Sequence, residues 1–191
     1  MNSKIYGLLG HGKSIEIIEI FGYSSQGLPG VEVIGPGKFS RTLKEKIIFF
    51  TKLKKIKLPL KRYILCLDLT ENSGERAQYQ NLELPFLLLL WHLAGVLPMK
   101  RIDDCLAYGR ISSNGKILIP AIGEQIKLAL NNFGNEEEVP KIFGLSDAQC
   151  VERMYGGDGE PCQILPLEEI IPSLASSIST INDDLDRKSA H

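Results

Sequence analysis

The stretch from Leu82 to Pro98, LELPFLLLLWHLAGVLP, is the most apolar in the chain and limits what the rest can be. Between Leu84 and Leu97 only His92 is clearly polar. Pro85 suits the first turn of a helix, and Gly95 and Pro98 punctuate its end. About 14 residues are too few to cross a bilayer, which needs ~20, so the pattern predicts a buried core helix. The remaining elements must pack around it.

A chain of 191 residues suits one domain, expected over residues 1–174, with a polar, flexible tail over 175–191. With 43% hydrophobic and 24% charged residues the composition is that of an ordinary globular protein. Cys66, Cys105, Cys150 and Cys162 are far apart and form no CxxC pair, which supports neither a zinc knuckle nor a redox motif. No cofactor, no metal and no membrane partner are expected. The N-terminus lacks a signal-peptide core and a lipidation signal, so a cytoplasmic location with reduced thiols is expected.

Residues 4–9 read as a strand, followed by a turn at Gly10-His11-Gly12. The β-branched run Ile15–Phe21 reads as a second strand, and Val31–Ile34 as a third, joined to it as a hairpin through the turn 23–30. Ser40 is placed as the N-cap of an amphipathic helix reaching about Ile56, with Leu43, Ile47 and Phe50 inward and Arg41, Lys44, Lys52 and Lys55 outward. The apolar run 63–69 suits an interior strand. Residues 105–111 and 116–120 flank Asn114-Gly115, a strong hairpin signal. Helices are expected over 122–133, 146–154 and 167–174, a short strand over 139–144, and a solvated acidic run at Glu136-Glu137-Glu138.

Gly7-Leu8-Leu9-Gly10-His11-Gly12-Lys13-Ser14 fits the phosphate-loop pattern GxxxxGK[ST], and Asp68 could end a magnesium-binding strand. Gly12, Lys13 and Ser14 are the phosphate-binding candidates, and a small P-loop NTPase is one alternative function. That chemistry needs a helix beginning at the lysine, whose free N–H groups hold the phosphate. Here the residues after Ser14 have strand periodicity, which favours a glycine-rich turn between strands. Nor does any histidine lie beside a serine or cysteine in a recognisable nucleophile turn.

Charge is segregated. Between Lys38 and Arg62 ten cationic residues face the single acid Glu45, a net of +9, so the remainder carries −10 to reach the overall −1. Arg41, Lys44, Lys52, Lys54, Lys55, Lys57, Lys61 and Arg62 are therefore candidates for contacting nucleic acid phosphates or a partner protein. A solvated lysine-rich face is the competing explanation.

The chain resembles the N-terminal domain of the ComM family, also called magnesium-chelatase-like or YifB-like proteins. Gly27-Leu28-Pro29-Gly30 with Val33-Ile34-Gly35 is similar to the family's GLPGF-x-IVG signature. Pro59–Leu67 is similar to its P-x-x-R-I-T-V-N-L strand, Leu82-Glu83-Leu84-Pro85 to its F-D-L-P helix start, and Ile164–Ile170 to the end of the domain. The resemblance implies an α/β (α+β) two-layer sandwich like domain 2 of ribosomal protein S-five and the Lon protease domain. It also implies a contact with DNA and a homo-oligomer or an AAA+ ATPase module in trans, because the family's domain adjoins such a motor.

Lon-type peptidases carry a serine at the start of this helix and a lysine after the second hairpin. Glu83 and Gln125 stand at those positions, and neither can perform the serine or lysine chemistry. A degenerate peptidase using Ser73 is the weaker alternative; a non-catalytic domain is the expectation.

Overall fold

The computed structural model describes residues 1–11, 14–67, 77–120, 126, 128–130, 141–144 and 163–181. Strands β1 (Asn2–His11), β2 (Ser14–Ser25) and β3 (Gly30–Ile34) lead into helix α1 (Phe39–Leu53) and strand β4 (Arg62–Leu67). The short β5 (Ala77–Gln78) and a 3₁₀ turn precede helix α2 (Glu83–Leu93). There follow β6 (Cys105–Leu106), β7 (Arg110–Ile111), β8 (Ile117–Pro120), β9 (Lys141–Gly144), β10 (Ile164–Pro166) and β11 (Ile178–Ile181).

The main sheet has the order β10-β9-β6-β1-β2-β4-β3, with β5 beside β1, and a smaller sheet has the order β11-β8-β7. Both are mixed. β1 and β2 form a long antiparallel hairpin from Asn2↔Tyr23 to His11↔Ser14, while β3 runs parallel to β4. The fold is thus a mixed α/β arrangement with α1 and α2 layered against the large sheet.

That layer exists because α2 is apolar on every side. All eleven of its residues are buried, and it lies across β1, β2 and β4. A helix without a polar face can only be interior, and each buried leucine contributes about 1.5–3 kcal/mol. Its end is a Schellman turn: Gly95 N–H donates to the His92 carbonyl and Val96 N–H to that of Trp91, with Gly95 at φ 71°. Beside it, α1 buries Leu43, Ile47, Phe50 and Thr51. Trp91 Nε1–H donates to Thr51 Oγ1 at 3.0 Å and the Trp91 ring stacks on Phe50 at 6.1 Å, which fixes the two helices together.

Several expectations need correction. β3 does not pair with β2, because β4 is inserted between them. The crossover through α1 returns the chain parallel to β3, and that topology outweighs the local turn. Ser40 lies inside α1 rather than capping it; the N-cap position is Lys38, with no side-chain bond. The helix stops at Leu53 because Lys55 turns left-handed at φ 56°. The run 105–111 is split, since Cys105–Leu106 joins the main sheet and Arg110–Ile111 the small one. The final helix is a single turn, Leu167–Ile170, followed by a 3₁₀ segment through Ser177. Residues 178–181, expected in a flexible tail, pair in parallel with β8. The turn at Asn114-Gly115 does join an antiparallel pair, β7 and β8, and β4 is an interior strand.

Candidate functional site

The N-terminal end of α2 is where the resemblance places a nucleophile. Glu83 there is fully buried, and both of its oxygens are engaged. Lys46 Nζ, from α1, donates to Oε1 at 2.7 Å, and the Ile111 N–H, from β7, donates to Oε2 at 2.6 Å. The carboxylate therefore joins α2 to α1 and to β7. Burial raises its pKa, against the opposing effect of the Lys46 hydrogen bond, the Ile111 N–H and the charges of Lys46 and Arg110. A carboxylate held in this way cannot reach a substrate. Its role is to tie elements together, and its place at the helix start is also favourable to the helix dipole.

Lys46 was not distinguishable in the sequence from the other cations of α1. A signal did exist: an acid in an otherwise apolar helix needs a partner, because an unpaired buried charge is costly.

Among the described residues, Glu83 is bonded by Lys46 and Ile111 and by none of the predicted site residues. Gln125, Ser73 and Asp68 lie outside the described residues, as do Gly12 and Lys13 and the expected helix 146–154. The phosphate-loop alternative fails on its structural requirement, because Ser14 opens strand β2 and no helix begins there. Gly7, the first glycine of that pattern, sits within β1 under α2, where an added Cβ would be 2.8 Å from Leu82 Cδ2. His92 is buried, its pKa is lowered by that burial, and its Nδ1 has no hydrogen-bond partner among the described residues. A neutral core histidine fits these facts.

The signature glycines have backbone reasons. Gly27, Leu28, Pro29 and Gly30 carry the chain from β2 to β3, leaving Leu28 exposed. Gly35, at φ 109°, passes so close to β4 that an added Cβ would stand 2.4 Å from the Leu67 carbonyl oxygen. Pro85 occupies the first turn of α2, where no N–H is needed.

The basic segment divides in two. Arg62 is bonded to Glu32 through Nε and Nη2, the latter at 2.9 Å, and Lys54 bonds the buried Ser177 hydroxyl while lying 5.5 Å above the Phe50 ring. These two cations serve the fold. Arg41, Lys44, Lys52, Lys55, Lys57 and Lys61 have no ion-pair partner among the described residues, and all but the half-buried Lys44 are exposed. They follow the outer side of α1 and the connection to β4, opposite its buried face.

Among the described residues no group of three His, Cys, Asp or Glu could hold a metal ion, and no helix is long and apolar enough to cross a membrane. Fold and surface define a class: a helix-covered mixed sheet with a charge-locked core and an open cationic helix face. No protein-family model and no curated protein matches the chain.

Proposed function

We propose that the chain is a non-catalytic Lon-like domain of the ComM/magnesium-chelatase-like type, which contacts DNA through the outer face of α1 and works with an AAA+ ATPase in trans or as a homo-oligomer. The observation that carries the non-catalytic part is the engagement of Glu83: at the position of a Lon-type serine stands a carboxylate with no exposure and both oxygens occupied. What supports the DNA part is the row of cations Arg41, Lys44, Lys52, Lys55, Lys57 and Lys61, which the fold does not consume. Phosphates neutralise such a row without base-specific contacts.

Fluorescence anisotropy with single-stranded and branched DNA at low salt tests it. The wild type binds both, and a variant carrying Arg41→Glu, Lys44→Glu, Lys52→Glu and Lys57→Glu loses at least tenfold in affinity while remaining folded. A wild type that binds neither DNA removes the nucleic-acid part; a charge-reversed variant that binds equally well moves the contact elsewhere.

A further inference from the structure

Among the described residues, α1 and α2 lie on one face of β2, β4 and β3. On β2 the residues Ile18, Ile20 and Gly22 point into the core, so Phe21 and Tyr23 point the other way, and they remain 40% and 43% exposed. Ile34 of β3 is 53% exposed on the same face. The register aligns them. Lys4, Phe21, Cys66 and Ile34 form one row across β1, β2, β4 and β3, and Asn2, Tyr23, Ile64 and Glu32 form the next. The second row has an apolar centre and polar ends, and the first runs from Lys4 to an apolar end at Ile34.

From this we infer that the outer face of β2, β4 and β3 is a self-association surface, and that its occupant is a second copy of the same face. Charge balance selects that partner. The paired ionised side chains around the aromatic centre among the described residues are Lys4 with Glu19, 2.7 Å apart, Arg62 with Glu32, 2.9 Å apart, and Arg101 with Asp103, 3.4 Å apart. Their net charge is zero, which offers nothing to a polyanion or a polycation and does not repel a copy of itself. Symmetry then supplies complementarity. A twofold axis along the strands, between β2 and β4, lays β1 of one copy over β3 of the other. The β1 edge of one face, with Lys4 and Asn2, meets the β3 edge of the other, with Ile34 and Glu32, and Phe21 and Tyr23 of one copy lie over Cys66 and Ile64 of the other as in a two-sheet sandwich. This surface lies across the sheet from the cationic side of α1, so it is independent of the DNA reading.

Sedimentation velocity on the full chain from about 1 µM to about 200 µM tests the inference. The wild type is expected to shift from monomer to dimer in that range. Phe21→Thr with Tyr23→Thr keeps residues of high strand preference there and is expected to weaken the dimer at least tenfold, whereas Arg41→Glu on α1 leaves it unchanged. Cys66, in the first of these rows and partly exposed, gives a second reading in the unaltered protein. Its alkylation, followed by mass spectrometry of the peptide that contains it, is expected to slow as protein concentration rises through the same range. A chain that stays monomeric, a dimer that survives the double substitution, or Cys66 labelling independent of concentration would each overturn the inference.

Discussion

Glu83 Oε1 and Lys46 Nζ lie 2.7 Å apart, yet the glutamate side chain is fully buried and the lysine side chain is 38% exposed. The two partners are therefore unequal, and their removal should have unequal consequences. Lys46→Met leaves a buried carboxylate with only the Ile111 N–H, and we expect a loss of about 3 kcal/mol. Glu83→Gln retains an acceptor for Ile111 and frees a lysine that can turn to water, so the expected loss is about 1 kcal/mol. Urea denaturation of both variants checks the order; a larger loss for Glu83→Gln would contradict it.

The same carboxylate makes stability depend on pH in an unusual direction. Burial holds its pKa above the ordinary 4.5 in the folded chain, so the native state keeps this proton to higher pH than the unfolded state. Its contribution is complete below 4.5 and is lost as pH rises through the raised value. Asp103 behaves oppositely. Burial pushes it up, but the Lys4 N–H, the Ser3 hydroxyl and Arg101 outweigh that effect and hold it below 3.8. Its contribution is present above 3.8 and is lost as pH falls through the lowered value. Urea midpoints between about pH 3 and 8 should show the wild-type advantage over Glu83→Gln shrinking as pH rises, and that over Asp103→Asn shrinking as it falls. A pH-independent difference for either variant would contradict its assignment.

Lys55 is the one non-glycine residue with positive φ among those described, at 56°, and it closes α1 in a Schellman turn, with Ile56 N–H donating to the Thr51 carbonyl. A side chain in that conformation costs about 1 kcal/mol relative to glycine. Lys55→Gly is expected to raise the thermal midpoint, and a lowered midpoint would show that the side chain has a structural role.

Two glycines set how closely α2 approaches the sheet. A Cβ on Gly22 would stand 2.7 Å from the Ile64 carbonyl oxygen, which belongs to the backbone of β4 and cannot move alone. On Gly7 the nearest atoms are Leu82 Cδ2 and Ile20 Cδ1, the mobile ends of side chains. Gly22→Ala should cost about 2–3 kcal/mol and Gly7→Ala about 1 kcal/mol. Equal losses in denaturant titrations would refute the distinction.

These residues also show what was legible in the sequence. α2 could be read directly because its hydrophobicity leaves it no surface position, and β4 because it is apolar on both faces. The neighbour of β3 could not be read, since alternation fixes which face of a strand is buried but not which strand lies beside it. β11 was hidden by the serine and threonine between its isoleucines. Ten cations from Lys38 to Arg62 look alike in a charge count. Only the packing of α1 separates Lys46 and Lys54, which serve the interior, from Arg41 and Lys52, which face outward. The phosphate-loop letters carried no such information, because the pattern specifies residues and not the helix that must follow them.

The central claim, that the unpaired cations of α1 and its connection to β4 bind nucleic acid phosphates, is tested most directly by the salt dependence of single-strand binding. Six engaged cations predict that log K falls with log salt at a slope of about −4, and that each charge reversal among Arg41, Lys44, Lys52 and Lys57 reduces the slope by about 0.7 or more. Affinity that is absent at low salt, or indifferent to salt, would contradict the account.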